Sequence, residues 1–217
     1  MSSGFGTSEL LNAYRRGVFP MADSRDDPNL FLIDPDERAL LPLLDFHIPK
    51  RLKRTVRKMP FRVSVNECFV RVIEACAASN SGRETTWINS AIVNLYSSLH
   101  RKGFAHSIEC WDGDELVGGL YGVSLGAAFF GESMFSTRTD ASKIALVHLV
   151  ARLLAGGYQM LDAQFHNPHL DQFGLQRIQR KDFKRTLAAA LANEGDFYSP
   201  DAPVTGKEAL QRITQIS

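Results

Sequence analysis

The segment Ala141–Ala155, ASKIALVHLVARLLA, is apolar on nearly every side when wound as a helix. Such a helix belongs deep inside a fold, where other elements cover it all round. Asp140 stands in the position of a capping side chain, and Gly156-Gly157 ends the helix. The next residues, Tyr158–Phe165, read as a central strand. With 217 residues, the chain is long enough for one substantial core or for two small domains sharing an interface.

The sequence around that helix is regular. Phe61, Val63 and Val65 alternate as in a strand, and Asn66 is placed to cap a helix to about Ala78 with Phe69, Val70, Ile73 and Ala77 inside. A loop of Ser, Asn and Gly leads to Trp87. A second helix, about Ser90–Lys102, carries Ile92, Leu95, Tyr96 and Leu99 at helical spacing and stops at Gly103. A strand at His106–Trp111, the turn Asp112-Gly113-Asp114, and strands near Leu116–Ser124 and Ala127–Gly131 form an antiparallel meander. The order β-α-α-β-β-β-α-β over residues 61–165 is that of an α+β, acyltransferase-like domain.

Upstream, Ser8 is placed to cap a short helix Glu9–Arg16, with Leu10, Leu11 and Tyr14 inside and Gly17 at its end. Val18 to Leu44 is rich in Pro and Asp and carries the turn-like Asp34-Pro35-Asp36. The expected organisation is a small N-terminal α/β domain over 1–60 and a larger domain over 61–190 built on a mixed, mainly antiparallel sheet. A tail over 191–217 follows, with a helix at Lys207–Ile216.

Charge is balanced in total and segregated locally. Lys and Arg number 25 against 24 Asp and Glu, which excludes a globally basic protein. Yet Phe46 to Arg62 holds Lys50, Arg51, Lys53, Arg54, Arg57, Lys58 and Arg62 without one acid, after a stretch carrying Asp23, Asp26, Asp27, Asp34, Asp36 and Glu37. On a helix over Lys50–Met59, Leu52, Val56 and Met59 share one face and the cations take the other. Two readings stand: a solvated surface helix, or a face for a phosphate backbone, where each neutralised phosphate releases counterions. The apolar face is short and lacks Trp and Phe, against a membrane-surface role. The three cysteines, Cys68, Cys76 and Cys110, are odd in number and follow no metal spacing, which suits a reducing, cytoplasmic setting. No export signal is visible and no apolar run spans a bilayer.

Three groupings carry possible chemistry. On a strand, Asp162 and Gln164 point to one face while Leu161 and Ala163 point to the other. The pair either orients and deprotonates an amine nucleophile or sits at a strand end facing solvent. Glu132 follows the apolar run Ala127–Phe130 and either binds an amine or cation or caps a loop. His166-x-x-His169 with Asp171 is weak as a metal site, and no metal is expected. Gly118-Gly119 with Gly122 reads as close strand packing rather than a phosphate loop.

Several segments together resemble the leucyl/phenylalanyl-tRNA–protein transferases, in the family's order from about residue 8 to 187. They are Ala13-Tyr14-Arg15-Arg16-Gly17-Val18-Phe19-Pro20, Phe46-His47-Ile48-Pro49-Lys50, Thr86-Trp87-Ile88, Gly103-Phe104-Ala105-His106-Ser107-Ile108-Glu109, Leu116 to Val123, Phe130 to Ser136, Ala141-Ser142-Lys143 and Leu161-Asp162-Ala163-Gln164. The sequence departs from the family at Phe31-Leu32-Ile33, where a Trp-rich stretch is common.

The resemblance implies an N-terminal domain packed on a GCN5-related acetyltransferase-like (GNAT) domain. It also implies transfer of Leu or Phe, less readily Met, from aminoacyl-tRNA to the N-terminal Arg or Lys of a protein, marking it for N-degron degradation. No cofactor is implied, and a monomer is the simplest state. By the same resemblance, Gln164 contacts the attacking amine and Asp162 holds and polarises that arrangement. Glu132 and Trp87 bind substrate, and Met134, Leu146, Leu149, Leu153 and Leu161 line the Leu or Phe pocket. Lys50, Arg54, Arg57 and Lys58 meet the tRNA acceptor arm. Two other readings remain: a CoA-dependent N-acyltransferase, disfavoured by the glycine-free junction Ser136–Ser142, and a non-catalytic RNA-binding module.

Overall fold

Alternation and turn chemistry decide the central strands of the sheet. The computed structural model describes residues 5–22, 24, 25, 27, 29–78 and 86–216. Asp23, Asp26 and most of the loop before Trp87 lie outside them. In chain order the elements are α1 (Thr7–Arg15), β1 (Phe19–Met21), β2 (Phe31–Ile33), β3 (Glu37–Leu41), α2 (Lys50–Lys58), β4 (Arg62–Val65), α3 (Phe69–Ala77), α4 (Ser90–Arg101), β5 (Ala105–Asp112), β6 (Glu115–Leu125), β7 (Ala128–Ser136), α5 (Ala141–Ala155), β8 (Met160–Gln164), α6 (Pro168–Asp171), β9 (Gln176–Gln179), α7 (Arg180–Leu191) and α8 (Gly206–Ile216). The expected β-α-α-β-β-β-α-β order runs from β4 to β8.

β1 and β2 pair with each other, and the other seven strands form one sheet ordered β4-β5-β6-β7-β8-β3-β9. Every pairing in it is antiparallel except β7 with β8, which α5 connects. The sequence reading names none of β1, β2, β3, α6, β9 and α7, and of these β3 matters most for the sheet. It lies between β8 and β9 in the large sheet, so the main sheet draws on residues well before 61. A five-residue run in a Pro- and Asp-rich stretch has too little periodicity to betray a strand whose partners come so much later.

The two faces of the sheet hold separate cores. On one, α5 packs with Leu52 and Val56 of α2 and with Ala209, Leu210 and Ile213 of α8. The all-round apolar character of α5 has this cause: Ile144 through Leu153 are buried between sheet, α2 and α8. The tail is thus part of the core. On the other face, α1, α3, α4 and α7 meet through Leu10, Tyr14, Phe69, Ile73, Ile92, Tyr96 and Phe183. Gly118 lies under α5 at a distance no side chain tolerates; a Cβ there would stand 2.5 Å from that of Ala141.

Several expected helix starts differ. α1 begins one residue before Ser8, with Gly6 as N-cap. Asn66 does not cap α3; it adopts φ 58° and its side chain accepts from the Ser107 amide at 3.0 Å, closing β4 onto β5. Cys68 occupies the N-cap, and Val70 is exposed rather than inside. Asp140 does occupy the N-cap of α5, but its carboxylate turns to Lys143 at 2.9 Å instead of the helix amides. The competing cation is close enough to win the carboxylate.

Candidate active site

β7 and β8 run side by side only from Ala128↔Met160 to Phe130↔Asp162. Beyond that register Gly131–Ser136 and Ala163–Asn167 part, and a cleft of ≈ 660 Å³ opens between them. Met134, Leu146, Leu149 and Leu161 line its apolar part, with Trp87 and Met21 also on its wall. Leu153 does not line the cleft. It sits farther along α5, fully buried in the core, because a stripe at i, i+3, i+7 extends past the depth of the opening.

Glu132, Asp162 and Gln164 all line this cleft. Asp162 is fully buried, which excludes the reading in which it faces solvent. Arg38, from β3, forks onto it: Nη2 donates to Oδ2 at 2.6 Å and Nε to Oδ1 at 3.0 Å. Asp162 Oδ1 also accepts from the Gln164 backbone amide at 2.8 Å. The guanidinium lies between the rings of Phe19 and Phe183, 4.4 Å from each centroid, and its Nη1 donates to the Gly17 carbonyl at 2.9 Å. Gly17 has φ +80°, a conformation open to glycine, and so aims that carbonyl. Burial pushes the Asp162 carboxyl up, and Arg38 pulls against it. With a guanidinium always charged, the buried pair stands as an ion pair and its net field is small.

Glu132 is held differently. Its side chain meets no cation among the described residues; three neutral donors satisfy it. Tyr14 Oη donates to Oε1 at 2.7 Å, Tyr96 Oη to Oε2 at 2.9 Å and Gln164 Nε2 to Oε1 at 2.9 Å. The two phenols also touch at 2.5 Å. Burial drives the Glu132 carboxyl up to about 7, against the pull of these three hydrogen bonds. Burial likewise raises Tyr14 and Tyr96 well above the ordinary phenol value, so both remain donors. Tyr121 lines the cleft too, and its hydroxyl has no hydrogen-bond partner among the described residues.

The structure brings Asp162, Gln164 and Glu132 together and adds Arg38, Tyr14 and Tyr96, which the sequence does not single out for the site. In the sequence Tyr14 and Tyr96 fall on the apolar sides of their helices, where a phenol and a phenylalanine look alike. A lone arginine after Asp34-Pro35-Asp36 carries no sign of burial. His166 pairs with Asp171 at 2.8 Å, and no cluster of three metal-ligating side chains occurs among the described residues.

The cationic helix forms as expected. Leu52 and Val56 face the core, and Lys50, Arg54, Arg57 and Lys58 are exposed with no ion pair to any described residue. Among the described residues, Arg51 alone on this helix meets an acid, Asp140 at 3.7 Å.

Over residues 40–188 the chain matches the family model described as leucyl/phenylalanyl-tRNA protein transferase, and over 7–36 that of the same family's N-terminal domain. A leucyl/phenylalanyl-tRNA–protein transferase from Hyphomonas neptunium is 69% identical over 198 residues, 91% of this chain and 77% of its own. Those of Caulobacter vibrioides and Maricaulis maris are 61% and 59% identical, each over 99% or more of both chains. Similar in sequence from end to end, and matched in both parts of the family's pattern, the chain belongs to the leucyl/phenylalanyl-tRNA–protein transferases.

Proposed function

We propose that this protein transfers Leu or Phe, and less readily Met, from aminoacyl-tRNA to the N-terminal Arg or Lys of an acceptor protein, on a domain of the GNAT type. The observation that carries this reading is the cleft where β7 and β8 part, with an apolar wall on one side and Glu132 with Gln164 at its polar end. Met134, Leu146, Leu149 and Leu161 suit an unbranched-at-β apolar side chain. Such a wall separates side chains differing by a methylene by only about 1–3 kcal/mol, so Met is tolerated.

In the reaction the acceptor's α-nitrogen bonds to the ester carbonyl carbon and the carbon–oxygen bond to the tRNA 3′ oxygen breaks. One proton leaves the nitrogen, and one reaches the departing oxygen. The ester is already activated, so positioning and proton handling are what the site supplies. With Nε2 engaged by Glu132, the Gln164 Oε1 is the atom left to accept from the amine. Glu132, poised near neutrality, suits the passage of the proton. Asp162 acts through Arg38 and the Gln164 backbone, fixing the strand end on which Gln164 stands. The half-exposed ring of Phe165 at the cleft offers a face for the terminal adenine.

Transfer of labelled Leu from Leu-tRNA to a peptide beginning with Arg tests the proposal, with acetyl-CoA as the rival donor. Labelled peptide from the tRNA alone is the expected result; acetylation without aminoacyl transfer overturns it. The glycine-free junction Ser136–Ser142 that leads into α5 speaks against CoA, whose pyrophosphate needs a close backbone approach at a helix N-terminus.

A further inference from the structure

α8 lies outside the stretch matched by the family models, which ends at residue 188. Its inner side is core: Ala209, Leu210 and Ile213 are buried against the same cluster as α2. Its outer side does something else. Between α2 and α8 runs a groove of ≈ 270 Å³ lined by Lys53, Arg57, Lys207, Leu210, Gln211 and Thr214. Three cations from two helices border it and no carboxylate does. None of Lys53, Arg57 and Lys207 forms an ion pair with a described residue. The acid nearest in sequence on α8, Glu208, is engaged with the Thr205 amide and hydroxyl at 2.7 and 2.8 Å. Like charges held together around a groove repel one another, and an anion between them turns that cost into attraction.

We propose that α8 is part of the tRNA-binding face: the groove seats a phosphate of the tRNA backbone, held by Lys53 and Arg57 from α2 and Lys207 from α8. This rests on the reading that the chain uses aminoacyl-tRNA, and it assigns the C-terminal helix a recognition role besides its packing. A second helix also changes the geometry of recognition. Cations on α2 alone attract a backbone; a groove between two helices fixes its direction across the protein. Gln211 Nε2 adds a neutral donor to the same lining.

The test compares tRNA affinity, measured over a range of salt, for the wild type, Lys207→Glu, Arg54→Glu and Lys102→Glu. Arg54 is on α2 but does not line the groove, and Lys102 follows α4 on the opposite face of the sheet. Lys207→Glu is expected to weaken binding several-fold and to reduce the slope of affinity against salt by about one, with Lys102→Glu equal to the wild type. In the wild type, bound tRNA is expected to protect Lys207 from acylation by a lysine-specific reagent, read by mass spectrometry. If Lys207→Glu binds like the wild type while Arg54→Glu is weakened, the groove is overturned and the α2 face stands. If both bind like the wild type, both fall. If Lys207→Glu is weakened but Lys207 is acylated equally with and without tRNA, the effect is structural and the proposal is overturned.

Discussion

Two carboxylates in the cleft have opposite supports, and variants at each should behave differently. Asp162 is buried against Arg38, and removing one member of such a pair strands the other charge in the interior. Asp162→Ala is expected to cost on the order of 3–5 kcal/mol of stability, read as a lowered urea midpoint, besides abolishing transfer. Glu132 has only neutral donors, and burial holds its carboxyl up near 7, above its ordinary value of 4.5. A raised carboxyl contributes stability while it is protonated in both states, below about 4.5, and that contribution is lost as pH rises toward about 7. Glu132→Gln, which cannot ionise, should therefore gain in urea midpoint relative to the wild type between pH 5 and pH 8. The same substitution should remove the limb of the transfer rate that rises through pH 7. A wild-type pH profile in Glu132→Gln would take the proton role away from that residue.

At the scale of elements, α2 is the clearest case of sequence dictating outcome. Two apolar residues four apart, with cations on every other side, leave one way for Lys50–Lys58 to lie. Reversing charge at Arg54 and Arg57 together should weaken tRNA binding and flatten its salt dependence by about two; unchanged binding would remove α2 from the interface. The meander, α5 and β8 are just as legible, because alternation, an Asp-Gly turn and paired glycines are local signals. What the sequence hid is non-local. β3 has no periodicity of its own and is a strand only because β8 and β9 flank it. Asn66 has the chemistry of a cap, and it accepts instead from the Ser107 amide, 41 residues on in the chain. The site divides along the same line: Asp162, Gln164 and Glu132 stand out as polar groups in apolar runs, whereas Tyr14 and Tyr96 are concealed by rings that pack like any other aromatic residue.

Across the whole molecule, the C-terminal helix joins the core that buries α5, so the chain's last elements and its middle should unfold together. Ile213→Ala is expected to cost about 2–5 kcal/mol and to leave a single transition in thermal unfolding. A loss under about 0.5 kcal/mol, the ordinary size of a surface change, would mean that α8 is a detachable appendage. The position of β3 reaches further, into synthesis. Arg38 and Asp162 are 124 residues apart in the chain, and β9, which flanks β3 on its other side, follows later still. A ribosome delivering this chain from its N-terminus extrudes β3 long before the strands that flank it exist. β1 and β2 can pair with each other, but β3 must wait unpaired, exposing Leu40 and Leu41 to whatever else is near, until β8 and β9 emerge. The Arg38–Asp162 pair forms only when an early segment is captured by a late one, and a nascent chain stopped before β8 lacks both Asp162 and Gln164 of the candidate site.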